Sequence, residues 1–187
     1  MPKTSFIQTS SDGKTGELFV ARFFQKLHWN VKDLTGIQKY RDEDIDFIVT
    51  NQDGESFRIE VKTDTRMHET GNVVVEKKMI RPTGERDGWL YKCKADYICY
   101  LSAATGAACF LDWPPLRQAV LNGAGRECLF NNWRDGCPGL IQLLSIEKNL
   151  RPGGFLKEEP QIVPADELSL FHSLFRNTKI RQLALAA

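Results

Sequence analysis

Residues 44–62 read DIDFIVTNQDGESFRIEVK and predict two β-strands joined by a tight turn. The strands, residues 45–50 and 55–62, are rich in β-branched and aromatic residues, and polar turn residues separate them. A three-residue loop that ends at Gly54, in the left-handed conformation that glycine tolerates, pairs Asn51 with Glu55. This register places Asp46 directly opposite Glu60.

The predicted hairpin carries an apolar face and an ionic face. Because successive side chains of a strand point to opposite sides, Ile59 and Val61 lie on one face, and Glu60 and Lys62 on the other. Directly opposed carboxylates destabilise a sheet unless a positive charge compensates them. Magnesium binds carboxylate oxygens and keeps several waters. Asp46 and Glu60 therefore favour a divalent-cation site for phosphodiester hydrolysis, and Lys62 is expected to stabilise charge on the phosphoryl group or to orient the attacking water.

Asp44 shares the ionic face with Asp46, so a register shift of two residues would exchange their roles. In the expected register, Asp44 faces Lys62 instead. A purely structural alternative is an ion-pair ladder of Asp44, Lys62 and Glu60 on the surface of the hairpin. The sequence leaves these readings open.

Asp46, followed after thirteen residues by Glu60-Val61-Lys62, resembles the D-x(n)-ExK signature of the PD-(D/E)XK nuclease superfamily. The segments 70–76 and 95–97 further resemble those of small phage and prophage nucleases in this superfamily. Ile45 stands where the proline of the family name would be, and this variation removes no ligand. The resemblance covers residues 14–112.

The resemblance implies a restriction-endonuclease-like α/β core, with a central mixed β-sheet flanked by helices in the order αβββαβ and a C-terminal helical extension. It implies a metal-dependent DNA endonuclease that uses Mg²⁺ or Mn²⁺ and leaves 5′-phosphates. Glu17, on the helix ahead of the hairpin, matches an acidic residue that often completes the metal site, although the helix dipole alone also favours an acid there. The main-chain carbonyl of Val61 is implied as a further ligand. The alternative function is a non-catalytic DNA- or protein-binding module that keeps the nuclease fold.

The other elements are predicted from periodicity. An amphipathic helix over 15–27, capped by Asp12 or Thr15, presents a stripe that includes Leu18 and Leu27. Further strands are expected at 29–31, 72–76, 96–101 and 108–111, a helix at 114–121, and an apolar run at 140–146. The nuclease-like domain is predicted to span 1–150. Residues 151–187 are predicted to be a linker and a helical extension, with a helix at 168–175 that docks on the core; a homodimer or partner contact is the alternative.

The charge of the chain is balanced overall but divided locally. Its 187 residues include 25 Lys and Arg against 24 Asp and Glu, which excludes the strongly basic class of nucleic-acid binder. Residues 42–60 hold seven acidic residues and one basic residue, whereas 77–94 hold six basic and two acidic ones. The basic residues, interleaved with Trp89 and Tyr91, are expected to contact DNA; the alternative is a charged loop with its aromatic side chains in the core. They are Lys77, Lys78, Arg81, Arg86, Lys92 and Lys94.

Localisation and redox state follow from what the sequence contains. The N-terminal residues are polar and no apolar run reaches membrane-spanning length, so a cytoplasmic protein of a bacterium or a phage-infected host is expected. Five cysteines without a CxxC pair predict reduced, mostly buried thiols rather than a zinc site.

Overall fold

A computed structural model of the chain describes residues 6–130 and 138–150. The predicted extension at 151–187, with its helix at 168–175, lies outside the described residues. Along the chain the elements are α1 (Phe6–Lys26), β1 (Asn30–Asp33), α2 (Gln38–Asp42), β2 (Phe47–Thr50), β3 (Ser56–Asp64), α3 (Met67–Thr70), β4 (Asn72–Arg81), β5 (Gly84–Asp87), α4 (Trp89–Lys92), β6 (Tyr97–Ser102), β7 (Ala108–Asp112), α5 (Trp113–Leu121), β8 (Arg126–Phe130), β9 (Gly139–Ser145) and α6 (Ile146–Asn149).

The central sheet has the strand order β1-β2-β3-β6-β7. Strands β3 and β6 are parallel, and the other neighbouring pairs are antiparallel. Strand β6 is almost entirely buried, as its apolar sequence predicted. The predicted α/β class with a central mixed sheet is therefore confirmed.

A second sheet, with the order β5-β4-β9-β8, was not predicted. The predicted strand at residues 72–76 is the start of β4 and belongs to this second sheet rather than to the central one. Strand β4 pairs with β9, whose residues lie far along the chain. The expected basic loop at 77–94 is the β4–β5 hairpin followed by α4.

Apolar side chains pack on both faces of the central sheet. On one face, Phe19, Val20 and Phe24 of α1 pack against Val49 and Ile59 of the hairpin strands. Two expectations for this helix are wrong. It begins at Phe6 rather than beside a cap at Asp12 or Thr15, and Leu18 and Leu27 are exposed.

The opposite face carries a second cluster built around two tryptophans. The rings of Trp89 and Trp113 lie 4.8 Å apart and are both buried. Trp113 Nε1 donates a hydrogen bond to the carbonyl oxygen of Cys93 at 3.2 Å. Leu90 and Leu116 join the same cluster. This packing holds α4 and the segment after it against the face of the sheet that carries Glu60 and Lys62.

The described cysteines are free thiols, as predicted. Cys93, Cys99 and Cys109 are buried and Cys128 is partly exposed. Burial raises the pKa of Cys93 and of Cys109 to about 12, which keeps both protonated. Cys137 lies outside the described residues.

Within residues 6–130 and 138–150, no helix is both long and apolar enough to cross a membrane.

Two glycines of α1 should respond oppositely to substitution by alanine. A Cβ at Gly16 would lie 2.1 Å from Thr63 Oγ1, so Gly16→Ala forces α1 away from β3. Overpacking of this kind costs about 1–3 kcal/mol. A Cβ at Gly13 meets nothing within 4 Å, and Gly13→Ala should stabilise the helix by about 0.5–1 kcal/mol. Thermal denaturation of the two variants measures both effects, and a shift of the melting temperature in the same direction for both would contradict the close packing at Gly16.

Candidate active site

The turn between β2 and β3 establishes the predicted register. Gly54 has a φ of 84°, and the backbone N–H of Asn51 donates to the carbonyl oxygen of Glu55 at 2.9 Å. Along the strands, Thr50 is paired with Ser56. The three-residue loop and the Asn51–Glu55 pair are therefore confirmed.

The same register continues past the start of β2 and brings Asp46 to β3. Phe47 is paired with Ile59, and the backbone N–H of Asp46 donates to the carbonyl oxygen of Ile59 at 2.9 Å. The side chain is also fixed, because Asp46 Oδ2 accepts a hydrogen bond from the backbone N–H of Val61 at 2.8 Å. Asp46 is thus held beside Glu60 by its main chain and by its carboxylate.

Glu60 is buried, which the sequence did not indicate. Its exposed fraction is 5%, although the alternation of β3 predicted only an ionic face, and the structural alternative placed that face on the surface. The reason is that β3 is an interior strand between β2 and β6, and that the segment around Trp89 and Cys93 covers this face. A carboxylate in such a position is costly unless a positive charge compensates it.

The two carboxyl groups resist ionisation together. The pKa of Glu60 is raised to about 8, mainly by burial; the charge of Lys62 opposes the rise and that of Asp46 adds to it. Burial also raises the pKa of Asp46 to about 6, although the N–H of Val61 lowers it, and the charge of Glu17 adds to the rise. A divalent cation bound beside two buried carboxyl groups would favour their charged forms and oppose this effect.

Lys62 lies on the same face as Glu60, as predicted. Its Nζ is 2.5 Å from Glu60 Oε1 and 3.9 Å from Asp44 Oδ1. The ammonium also lies 5.5 Å from the centre of the Trp89 ring, within the range of a cation–π contact. Burial works against the charge, but Glu60 and Asp44 raise the pKa of Lys62 above its ordinary value, so the side chain stays protonated.

Glu17 lies on α1 within electrostatic reach of the pair. Burial raises its pKa, and the negative charges of Glu60 and Asp33 raise it further. Among the described residues, however, no group of three or more His, Cys, Asp and Glu side chains is arranged to hold a metal ion. The expected role of Glu17 as a third ligand stays a prediction.

Asp44 does not continue the strand. It follows α2 in a turn and has a φ of 47°, a left-handed conformation that is uncommon for a residue other than glycine. Its Oδ2 lies 3.6 Å from Lys92 Nζ. The local sequence gives only a weak signal for this turn, namely that Asp tolerates left-handed conformations better than most residues.

The predicted DNA-contacting residues are largely paired with acidic side chains. Lys78 lies 2.6 Å from Glu85 and Lys94 lies 3.0 Å from Glu43. Lys77 forms an ion pair with Glu127, and Lys92 lies beside Asp44. Arg81 lies at the end of β4, and Arg86 is exposed on β5.

The two aromatic residues of this segment differ. Trp89 is buried in the core, which matches the alternative interpretation, whereas Tyr91 is 38% exposed. The ion pairs and the burial of Trp89 leave less free positive charge and one less stacking surface than the sequence suggested. Contact with DNA through this segment stays a prediction.

No protein-family model matches the chain, and no curated protein matches it. Among solved structures, the chain is similar to a bacterial homing endonuclease, with 14% sequence identity and a TM-score of 0.49. The match covers 80% of this chain and 88% of that chain. The chemistry of the site residues therefore carries the assignment of function.

Proposed function

We propose that this protein is a metal-dependent DNA endonuclease with Asp46, Glu60 and Lys62 at its active centre. One observation carries the proposal: Asp46, directly before β2, and Glu60 on β3 lie side by side, both with raised pKa values, and the Lys62 ammonium is next to Glu60. The D-x(n)-ExK spacing and its resemblance to the PD-(D/E)XK nucleases support the same function. DNA is the proposed substrate, and 5′-phosphate ends are the proposed products.

The donor set fits a hard divalent cation. Asp46 and Glu60 offer carboxylate oxygens, the ligands that Mg²⁺ and Mn²⁺ prefer, and the site contains no soft sulfur ligand among these residues. We expect Asp46 and Glu60 to hold the ion, with the carbonyl of Val61 and with Glu17 as further candidates. When bound, the ion supplies Lewis-acid polarisation of a phosphoryl oxygen and lowers the pKa of water.

The protein's own residues supply orientation and charge. The hydrogen bond from Val61 N–H fixes the Asp46 carboxylate, so no reorganisation is needed when the substrate arrives. Lys62 provides a permanent positive charge and three N–H donors beside the carboxylates. We expect it to bind a non-bridging phosphate oxygen or to orient the attacking water for in-line displacement. The exposed Arg86 and the lysines of the β4–β5 hairpin are the proposed contacts to the DNA backbone.

A non-catalytic binding module is the second candidate. It is favoured by the short contact between Lys62 and Glu60, because an ion pair of this kind neutralises a buried carboxylate without any metal. Such a protein would bind DNA or a protein partner and leave DNA intact.

Incubation of supercoiled plasmid with the protein, in Mg²⁺ or in EDTA, separates these functions. Nicked or linear plasmid in Mg²⁺ but not in EDTA supports the endonuclease. Retarded, intact plasmid in both conditions supports the binding module. No cleavage and no retardation would contradict the endonuclease and a DNA-binding module, and would leave a protein-binding module or a structural ion-pair cluster.

Divalent metal should stabilise the folded protein. Binding at about one hundred times the dissociation constant contributes about 2.7 kcal/mol, which raises the melting temperature by several degrees. We expect this rise with Mg²⁺ or Mn²⁺, its reversal by EDTA, and its loss in Asp46→Asn. An equal rise in the variant would place the stabilising ion elsewhere.

A further inference from the structure

The Lys62 ammonium lies between two carboxylates with different surroundings. Its Nζ contacts Glu60 Oε1 at 2.5 Å and lies 3.9 Å from Asp44 Oδ1. Under the proposed function, Lys62 and the cation therefore compete for the Glu60 carboxylate. A carboxylate in the inner sphere of a divalent ion offers less negative charge to a neighbouring ammonium, so the contact between Lys62 and Glu60 weakens when the ion binds.

Asp44 is held in place as another acceptor for this ammonium. Its backbone N–H donates to the carbonyl oxygen of Arg41 at 3.4 Å, and the Cys93 thiol donates to its carbonyl oxygen at 3.4 Å. The side chain is 17% exposed, and its Oδ2 accepts no hydrogen bond from any described residue. A left-handed conformation at a residue other than glycine is unfavourable and persists where the surroundings enforce it.

Lys92 lies near the other oxygen of the Asp44 carboxylate. Its Nζ is 3.6 Å from Asp44 Oδ2, outside hydrogen-bond distance but within ion-pair range. Asp44 thus lies between two ammonium groups and makes a short hydrogen bond to neither. A movement of the Lys62 ammonium by about 1 Å toward Asp44 would bring the present 3.9 Å separation into hydrogen-bond range.

We propose that Asp44 is a positioning residue that takes over the Lys62 ammonium from Glu60 when a divalent cation binds. This inference rests on the proposed function. The exchange frees Glu60 for the ion and keeps Lys62 beside the site, where it meets the phosphate. Asp44 then favours cation binding only because it draws Lys62 away from Glu60. In this respect it differs from a metal ligand, which contacts the ion directly.

Isothermal titration with Mn²⁺ at one fixed pH tests the proposal in four proteins: wild type, Asp44→Asn, Lys62→Met and the double variant. Asparagine suits the test because it tolerates the left-handed conformation and removes only the charge. Coupling between two sites is typically about 5- to 150-fold. We expect Asp44→Asn to weaken Mn²⁺ binding about tenfold when Lys62 is present, and to leave it within about twofold in the Lys62→Met background.

Glu43→Gln is the matched control. Glu43 is adjacent in sequence, forms its ion pair with Lys94, and carries the same charge. It reports how much a charge removed next to the site changes Mn²⁺ binding through space, and we expect an affinity close to that of wild type.

Two results would overturn the proposal. Wild-type affinity in Asp44→Asn would mean that Asp44 does not assist the ion, and an equal loss in both backgrounds would make Asp44 a direct ligand. If wild type binds no Mn²⁺ and cleaves no plasmid, the proposed function fails first. If wild type binds and cleaves but Asp44→Asn does not differ from it, only the present inference fails.

A measurement on the wild-type protein covers the case in which Asp44→Asn does not fold. The side-chain ¹H–¹⁵N signal of Lys62, assigned by its loss in Lys62→Met, should shift on addition of Mg²⁺ and stay protected from exchange with water. Loss of the protected signal in Mg²⁺ would show a released ammonium and would contradict the exchange of partners.

Discussion

Asp46→Asn and Glu60→Gln should each lower the rate of plasmid cleavage by about 10³-fold in Mg²⁺. A metal ion contributes several kcal/mol of transition-state stabilisation, and each 1.36 kcal/mol corresponds to a factor of ten in rate. Either variant removes one of the two charged carboxylates while an amide oxygen of similar shape remains. The measurement is the initial rate of conversion from supercoiled to nicked plasmid.

These variants should stay folded. Asparagine at position 46 keeps an oxygen that accepts the Val61 N–H, and it removes a negative charge that raises the pKa of Glu60. Circular dichroism and the melting temperature without metal are the controls. Cleavage by a folded Asp46→Asn variant at the wild-type rate would contradict the assignment of this site.

Lys62→Met should lower cleavage by about 10²- to 10³-fold, the effect of removing one charge-stabilising donor from an active site. Unlike Asp46→Asn, it should retain Mn²⁺ binding, because Lys62 provides no oxygen ligand. A plasmid assay and a Mn²⁺ titration on the same preparation separate the loss of rate from the loss of metal.

Lys62→Arg is the matched variant for charge. It keeps a positive charge but replaces the compact ammonium with a planar guanidinium, so we expect an intermediate rate. If Lys62→Met cleaves as fast as wild type, Lys62 has a structural role with Glu60 and no part in the reaction.

The hairpin was predictable because its information is local. The loop between Asn51 and Glu55 ends at Gly54, and its length sets the register of the strands. Alternation along β3 places Ile59 and Glu60 on opposite faces of the sheet. These two rules were sufficient to place Asp46 beside Glu60 and Lys62 on the same face. Strand β6 was predictable for a related reason, since a strand apolar on both faces belongs in the middle of a sheet.

The second sheet was not predictable because its pairing is non-local. Residues 72–76 have the composition of a strand, but nothing in them says that the partner is β9 rather than the hairpin. Strand β8 has two polar residues followed by three apolar ones, none of them fully buried, so that the polar and apolar alternation that marks a half-buried strand is missing. Here tertiary pairing, rather than local propensity, determines the structure.

The burial and the charge state of the site residues could not be predicted from the local sequence pattern either. The burial of Glu60 arises from the interior position of β3 and from the covering segment around Trp89, whose ring packs on Trp113, a residue far from it in the sequence. The left-handed turn at Asp44 is likewise enforced by contacts with the segment that contains Cys93. The pattern thus predicted which residues meet at the site, whereas their burial and charge state followed from the fold.

Asp46 and Glu60 are proposed to hold a divalent cation. Anomalous diffraction from a crystal of the full chain soaked in Mn²⁺ can locate the ion without reference to activity. We expect a peak within about 2.5 Å of carboxylate oxygens of both residues. Full occupancy by Mn²⁺ at another site, with no peak beside Asp46 and Glu60, would contradict it.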